Sequence, residues 1–196
     1  MTGTGRRRIL AWALCSPLLA ARPALGRAVA QDRLLDSVAR VIATHGSRAR
    51  HLDRIAVVDF ARHSSEPRFF LVDREAGRIT SHLVAHGRGS DPAHTGFLQR
   101  FSNAHGSNAT SEGCYLTGDR YSGQHGAAMR LAGLDPTNDE AEARAIVIHA
   151  APYVSPAMVR THGKIGRSHG CFVLAPDVLP LILDRLGPGR LLLAGR

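Results

Sequence analysis

The spacing of apolar positions changes character along the chain. In residues 31–45 (QDRLLDSVARVIATH), Leu34, Leu35, Val38, Val41 and Ile42 recur at helical spacing, and Gly46 follows where a helix can end. The spacing predicts a helix there. Three short runs rich in β-branched and aromatic residues come next, at 55–60 (IAVVDF), 68–73 (RFFLVD) and 79–86 (ITSHLVAH). Ser64-Ser65-Glu66-Pro67 separates the first two, and 74–78 with Gly77 the last two, so the runs read as adjacent antiparallel strands. Residues 87–113 hold many Gly, Ser, Asn and His and no period; a loop of that length inside a domain is often functional. Short strands are expected at 114–117 and 128–131, and 145–149 (AIVIH) reads as a buried strand. Ser155-Pro156 supplies an N-cap and a first-turn proline for a helix running to about His162, before Gly163. Residues 176–186 predict a last helix with Pro180 in its first turn, and 191–193 a final strand. The body is mainly β with three helices, an α+β chain without internal repeat or second domain.

The first thirty residues read differently. MTGTGRRR is positively charged, residues 9–21 are mostly apolar, and Ala28-Val29-Ala30 is a small-x-small cleavage signal. This predicts an export signal over 1–30, leaving Gln31 first and 31–196 as a single domain. The pair Arg6-Arg7 ahead of apolar residues resembles the twin-arginine signal; the general export route is the alternative. Beyond it no apolar run reaches 18 residues, so no integral membrane segment is expected after signal removal. The location implied is the periplasm or cell envelope.

Composition changes the picture in two ways. Hydrophobic residues make up 44% and aromatics only 5%, so a sizeable core is built mostly from aliphatic side chains. Residues 1–30 carry five Arg and no acid, so the formal charge falls from +9 to +4 once they are removed. No basic run with interleaved aromatics remains, which argues against nucleic acid as a partner. A monomer is expected.

The candidate chemistry is concentrated in two places. His149 ends the AIVIH run, and Cys171 in GRSHGC follows 22 residues later with a predicted helix between them. A strand, a short helix and a return can bring the two together, and a thiol needs such a neighbour, since only a few per cent of free Cys is thiolate near neutral pH. Gly170 lets a substrate carbonyl approach the backbone, where the amides of His169, Gly170 and Cys171 can face an oxyanion. On this reading Cys171 rests as a thiolate. His162 is the lesser candidate base. His82 and His86 share a strand face and fit a core edge better than a site. Two readings compete: Cys171 is buried and inert, or it pairs with Cys114, the default for two cysteines in an exported chain. His149, His162, His169 and Cys171 also suit zinc, although no HExxH is present.

The segment IVIHAAPYVSPAMVRTHGKIGRSHGCFVL resembles the signature of the L,D-transpeptidases, the YkuD-like cell-wall enzymes: a His, a variable stretch, then Ser/Thr-His-Gly-Cys. VVDFARHSSEPRFFLVD, VAHGRGSD, RFSNAHGSNATSEG and YSGQHGAAMRLAGLD resemble its murein L,D-transpeptidase catalytic domain subfamily, over roughly residues 50–195. The resemblance implies a β-sandwich or barrel with a helix at the mature N-terminus. It implies Cys171 as nucleophile, His149 as base and then acid, and peptidoglycan stem peptides as substrate, with no metal or other cofactor. Ser168, Arg167, His125 and Arg130 are the candidate substrate-binding residues, Arg for its bidentate fork. The activity implied is cross-linking or L,D-carboxypeptidase action; a zinc-dependent cell-wall peptidase and an inactive murein-binding module are the alternatives. The chain departs from the common pattern at Ala150, where Gly is usual, and after Cys171, where Phe172-Val173-Leu174 stands without Asn or Arg. Cys114 replaces a non-thiol residue in a stretch expected near the site.

Overall fold

A computed structural model describes residues 21–124 and 126–196. The chain divides into two units, Met1–Leu35 and Asp36–Arg196. Residues 1–20 of the expected export signal lie outside the described residues; 21–30 belong to helix α1 (Ala21–His45). Within the second unit, α1 supplies the buried Val38 and Val41, two of the positions its period picks out. Among the described residues no helix is long and apolar enough to cross a membrane.

The second unit is built on one eight-stranded sheet. Its strands are β1 (Arg54–Asp59), β2 (Phe69–Asp73), β3 (Arg78–His82), β4 (Gly113–Gly123), β5 (Gly126–Gly133), β6 (Val147–Ala150), β7 (Phe172–Leu174) and β8 (Leu191–Gly195), in the spatial order β3-β2-β1-β8-β4-β5-β6-β7. Two pairs, β1 with β8 and β6 with β7, run parallel. β1 is central, and its continuous apolar run follows from burial on both faces: Ile55, Ala56, Val57 and Val58 are all buried.

β3 is shorter than the run at 79–86 predicts. After His82 the chain leaves the sheet edge, and Ala85 bridges to Val173 while Gly87 bridges to Ser168. The two edges of the sheet are thereby tied together into a nearly closed barrel, and the exposed edges that invite aberrant pairing are reduced. The mixed α+β, barrel-like architecture agrees with the expectation. β4 and β5 are longer than expected because their hairpin runs past the core. β7 has only three residues, too few for a period to reveal.

One core cluster joins alternate residues of the strands, among them Ala56, Val58, Leu131, Ile148, Phe172 and Leu192, to helix α3 (Leu179–Leu186). Leu179, Ile182, Leu183 and Leu186 form the i, i+3, i+4, i+7 stripe that α3 buries there. Pro180 sits in its first turn, as its missing N–H requires. A smaller cluster of Ala85, Val154, Ile165, Val173 and Ala175 takes in the half-buried Cys171, Tyr153 and Met158. Helix α2 (Pro156–His162) forms the crossover between β6 and β7. Its Ser155 side chain accepts from Met158 N at 3.2 Å, a cap contributing about 1 kcal/mol, and Gly163 ends it at φ +69°.

Candidate active site

The β6–α2–β7 crossover arranges the two residues expected to carry the chemistry. Ile148 stands opposite Phe172 and His149 opposite Val173, so the register carries Cys171 opposite Val147. Partners in parallel strands share a face. His149 and Cys171 are therefore diagonal neighbours on one face, roughly 8 Å apart at Cα from strand spacing and rise. The opposite face carries Ile148 and Phe172 into the main core.

His149 is buried, and its Nδ1 donates to Ala150 O at 3.0 Å. A carbonyl only accepts, so this contact puts the ring proton on Nδ1 and leaves the lone pair of the neutral ring on Nε2. The Cys171 thiol donates to Ala145 O at 3.6 Å. Burial raises its pKa above the ordinary value; the Val147 amide, the Arg144 guanidinium and its own amide act in the opposite direction without prevailing. This direction is opposite to the one a resting thiolate needs. Apolar packing thus disfavours the thiolate form of Cys171.

The loop before Cys171 is held from below. Ser168 N donates to His86 O at 2.9 Å, and Arg88 N to Ser168 O at 2.7 Å. Ser168 is buried; its Oγ donates to Cys171 O at 2.7 Å and accepts from Gly170 N at 3.1 Å. Both bonds shape the turn, and they engage the hydroxyl expected to meet substrate. The second bond occupies the Gly170 amide, one of the three expected to face an oxyanion. Gly170 is instead needed for its backbone: φ is +125°, and a Cβ would lie 2.7 Å from Ile146 Cδ1 and 2.8 Å from Ala109 O. Thr110 Oγ1 accepts from Gly87 N at 2.9 Å and donates to Gly170 O at 3.1 Å. His169 is exposed.

The remaining candidates divide. Arg167 donates through Nη1 to the carbonyls of Asp91 and Pro92 and so clamps the 91–92 turn. His125 lies outside the described residues. Arg130 pairs with Val147 and so stands on the same rung as Cys171, two strands and about 10 Å away, and it is exposed. Its guanidinium carbon lies 4.6 Å from the centre of the Tyr121 ring. Tyr121 reaches this face because β4 gains one residue against β5 between Thr117 and Arg120, which reverses the alternation beyond the bulge. His162 is exposed at the end of α2, and His82 lies on β3 bonded to Thr80 Oγ1 at 3.2 Å.

Three features have no mark in the sequence pattern. Arg144 reaches the 102–111 segment beside Cys171. Tyr153, raised to about 12 by burial and then by the neighbouring Cys171, packs its ring where a Cβ on Gly166 would stand 2.6 Å from it. Beneath the loop, Arg68 Nη2 donates to His86 Nδ1 at 2.9 Å, and His86 Nε2 lies 3.5 Å from Asp91 Oδ2, all three residues being buried.

The two cysteines are both free. Cys114 is buried on β4 in a pocket with Val41, His45 and Leu193, and β5 and β6 intervene between β4 and β7. The disulfide alternative therefore has no support. Among the described residues no group of three or more His, Cys, Asp or Glu is placed to hold a metal ion.

The chain is similar to several solved structures. An L,D-transpeptidase from Mycobacterium smegmatis is 15% identical with a TM-score of 0.44, over 74% of this chain and 59% of its own. An L,D-transpeptidase from Mycobacterium tuberculosis H37Rv is 14% identical with a TM-score of 0.48, over 74% and 58%. L,D-transpeptidase 3 from Mycobacterium tuberculosis, in complex with a faropenem-derived adduct, is 14% identical with a TM-score of 0.47, over 74% and 60%. The chain thus spans about three fifths of the length of these three. No curated protein sequence matches it. The family model described as the L,D-transpeptidase catalytic domain, YkuD_2, matches residues 28–194, nearly the whole chain, and the chain belongs to that family.

Proposed function

We propose that this protein is an exported, cysteine-dependent acyltransferase acting on peptidoglycan stem peptides. The observation that carries the reading is the placement of His149 and Cys171 on one face, with the Nδ1 contact of His149 leaving Nε2 as the basic atom. Family membership supplies the reaction class.

In this mechanism Cys171 Sγ attacks the carbonyl of the third stem residue, usually a meso-diaminopimelate, as His149 Nε2 takes the thiol proton. The tetrahedral oxyanion is met by the His169 and Cys171 amides. Collapse breaks the bond to the terminal D-alanine, whose amine leaves with the proton held by His149, and a Cys171 thioester remains. A side-chain amine of a second stem attacks the thioester, gives its proton to His149, and forms a 3→3 cross-link. The proton returns to Sγ. Water in place of the amine makes the enzyme an L,D-carboxypeptidase. Arg130, against the Tyr121 ring on the same rung as Cys171 and two strands across from it, is suited to a stem carboxylate.

Incubating the purified mature protein with disaccharide-tetrapeptide and identifying the products tests the reading. Dimers linked 3→3, or tripeptide with free D-alanine, are expected, and Cys171→Ser abolishes both. Products that persist in Cys171→Ser would refute the nucleophile; binding without products in wild type would identify an inactive murein-binding module.

A further inference from the structure

Arg144 sits in the turn ahead of β6, outside the residues assigned above to the reaction. Its Nη1 donates to Ser102 O at 2.8 Å and Ser111 Oγ at 2.6 Å, and its Nη2 to Ser107 Oγ at 3.2 Å and Ala109 O at 2.5 Å. Four acceptors from one loop thus converge on one half-buried guanidinium. The same group borders the nucleophile. Its Nη2 is 3.4 Å from where a Cβ on Gly170 would stand. The next residue, Ala145, is held at φ +53° and presents its carbonyl to Cys171 Sγ.

We propose that Arg144 is a positioning residue of the acyl-transfer site: it pins the 102–111 segment as one wall beside Gly170 and sets a fixed positive charge next to Cys171. The inference rests on the function proposed above. Only Arg meets both demands. Its planar fork serves several acceptors at once and keeps its charge at any working pH, whereas an ammonium is a point charge on a flexible stem. The charge favours the thiolate against burial; burial lowers the pKa of Arg144 itself, while Tyr115 and then Cys171 act to hold its charge. The other titratable groups around this pair are His149 on β6, Tyr153 on the segment after it, His169 in the nucleophile's own loop, and Tyr115 on β4, whose hydroxyl donates to Ser111 O at 2.8 Å. None of these carries a permanent positive charge.

The test uses Cys114→Ser protein so that alkylation by iodoacetamide, followed by intact mass, reads Cys171 alone across pH. Arg144→Gln is expected to move the midpoint of the pH profile up by about one unit, roughly a tenfold slower reaction at a fixed pH below it. Arg144→Lys keeps the charge and is expected to hold the midpoint near the wild-type value, while amides in 102–111 exchange hydrogen about tenfold faster because the fork is gone. A folded Arg144→Gln variant with an unmoved midpoint overturns the proposal. So does an Arg144→Lys variant with unmoved exchange, a result that holds even if the Gln variant does not fold. Iodoacetamide needs no stem peptide, so an absence of turnover in wild type would count against the acyl-transfer reading alone.

Discussion

His149 stands opposite Val173 in the parallel β6–β7 pair, and Cys171, the residue just ahead of β7, falls on the same face two residues away when that register is carried one residue back to Val147. This offset turns a distant pair into neighbours, and Ala150 O orients the imidazole. His149→Ala is expected to slow acylation of Cys171 by a carbapenem by about 10²–10⁴-fold, the span of a lost general base. His162→Ala, at an exposed helix end, is expected to change it little. Acylation rates by intact mass decide, and a reversed order would move the base to His162.

The two thiols differ in surroundings. Burial, and then Asp135, push Cys114 up to about 12, whereas Cys171 is half-buried with two amides and a guanidinium beside it. Under native, non-reducing conditions one thiol is expected to alkylate readily, and two after unfolding. Carbapenem pretreatment should protect the reactive one, and Cys114→Ser should keep acylation. A protein with no alkylatable thiol after unfolding would contradict this.

Gly170→Ala places a Cβ against Ile146 and Ala109 at a φ that only glycine adopts easily. A loss of about 2 kcal/mol or more in urea unfolding is expected, with acylation reduced further because the turn carries Cys171. Stability within about 0.5 kcal/mol of wild type would show that the loop yields.

His86 is held neutral. Burial first, and then the Arg68 guanidinium at 2.9 Å, lower its pKa to about 3. The unfolded chain takes up a proton near pH 6.5 and the folded protein does not, so this contribution to stability is complete above about 6.5 and is lost as pH falls towards about 3. His82, lowered by burial, acts with the same sign. Stability from His86 should drop by about 2 kcal/mol between pH 7 and pH 5, and His86→Gln should remove that part of the slope. Urea midpoints at the two pH values measure it; an unchanged slope in the variant would place the sensitivity elsewhere. The loop that Ser168 hangs from His86 O lies directly above this group.

Much was legible in the sequence because it depends on local chemistry. Ser155, Pro156 and Gly163 delimit α2 through capping and φ preference, and the run at 55–58 marks a strand buried on both faces. That AIVIH and the segment after GRSHGC become neighbours was readable from the strand, short helix and return between them. Other features depend on contacts between segments far apart in sequence. The one-residue bulge in β4 turns Tyr121 towards Arg130, and a single inserted residue leaves no period to detect. The closure of the sheet by Ala85 and Gly87, the separation of Cys114 from Cys171, and the use of Ser168 and Arg167 inside the loop architecture all depend on which strands become neighbours. Arg144 gives the same lesson: its partners lie 33 to 42 residues upstream. By itself the sequence determined which residues have the chemistry to react. Register and burial, which exist only in the folded sheet, decided which of them share a face and in which direction the thiol's pKa moves.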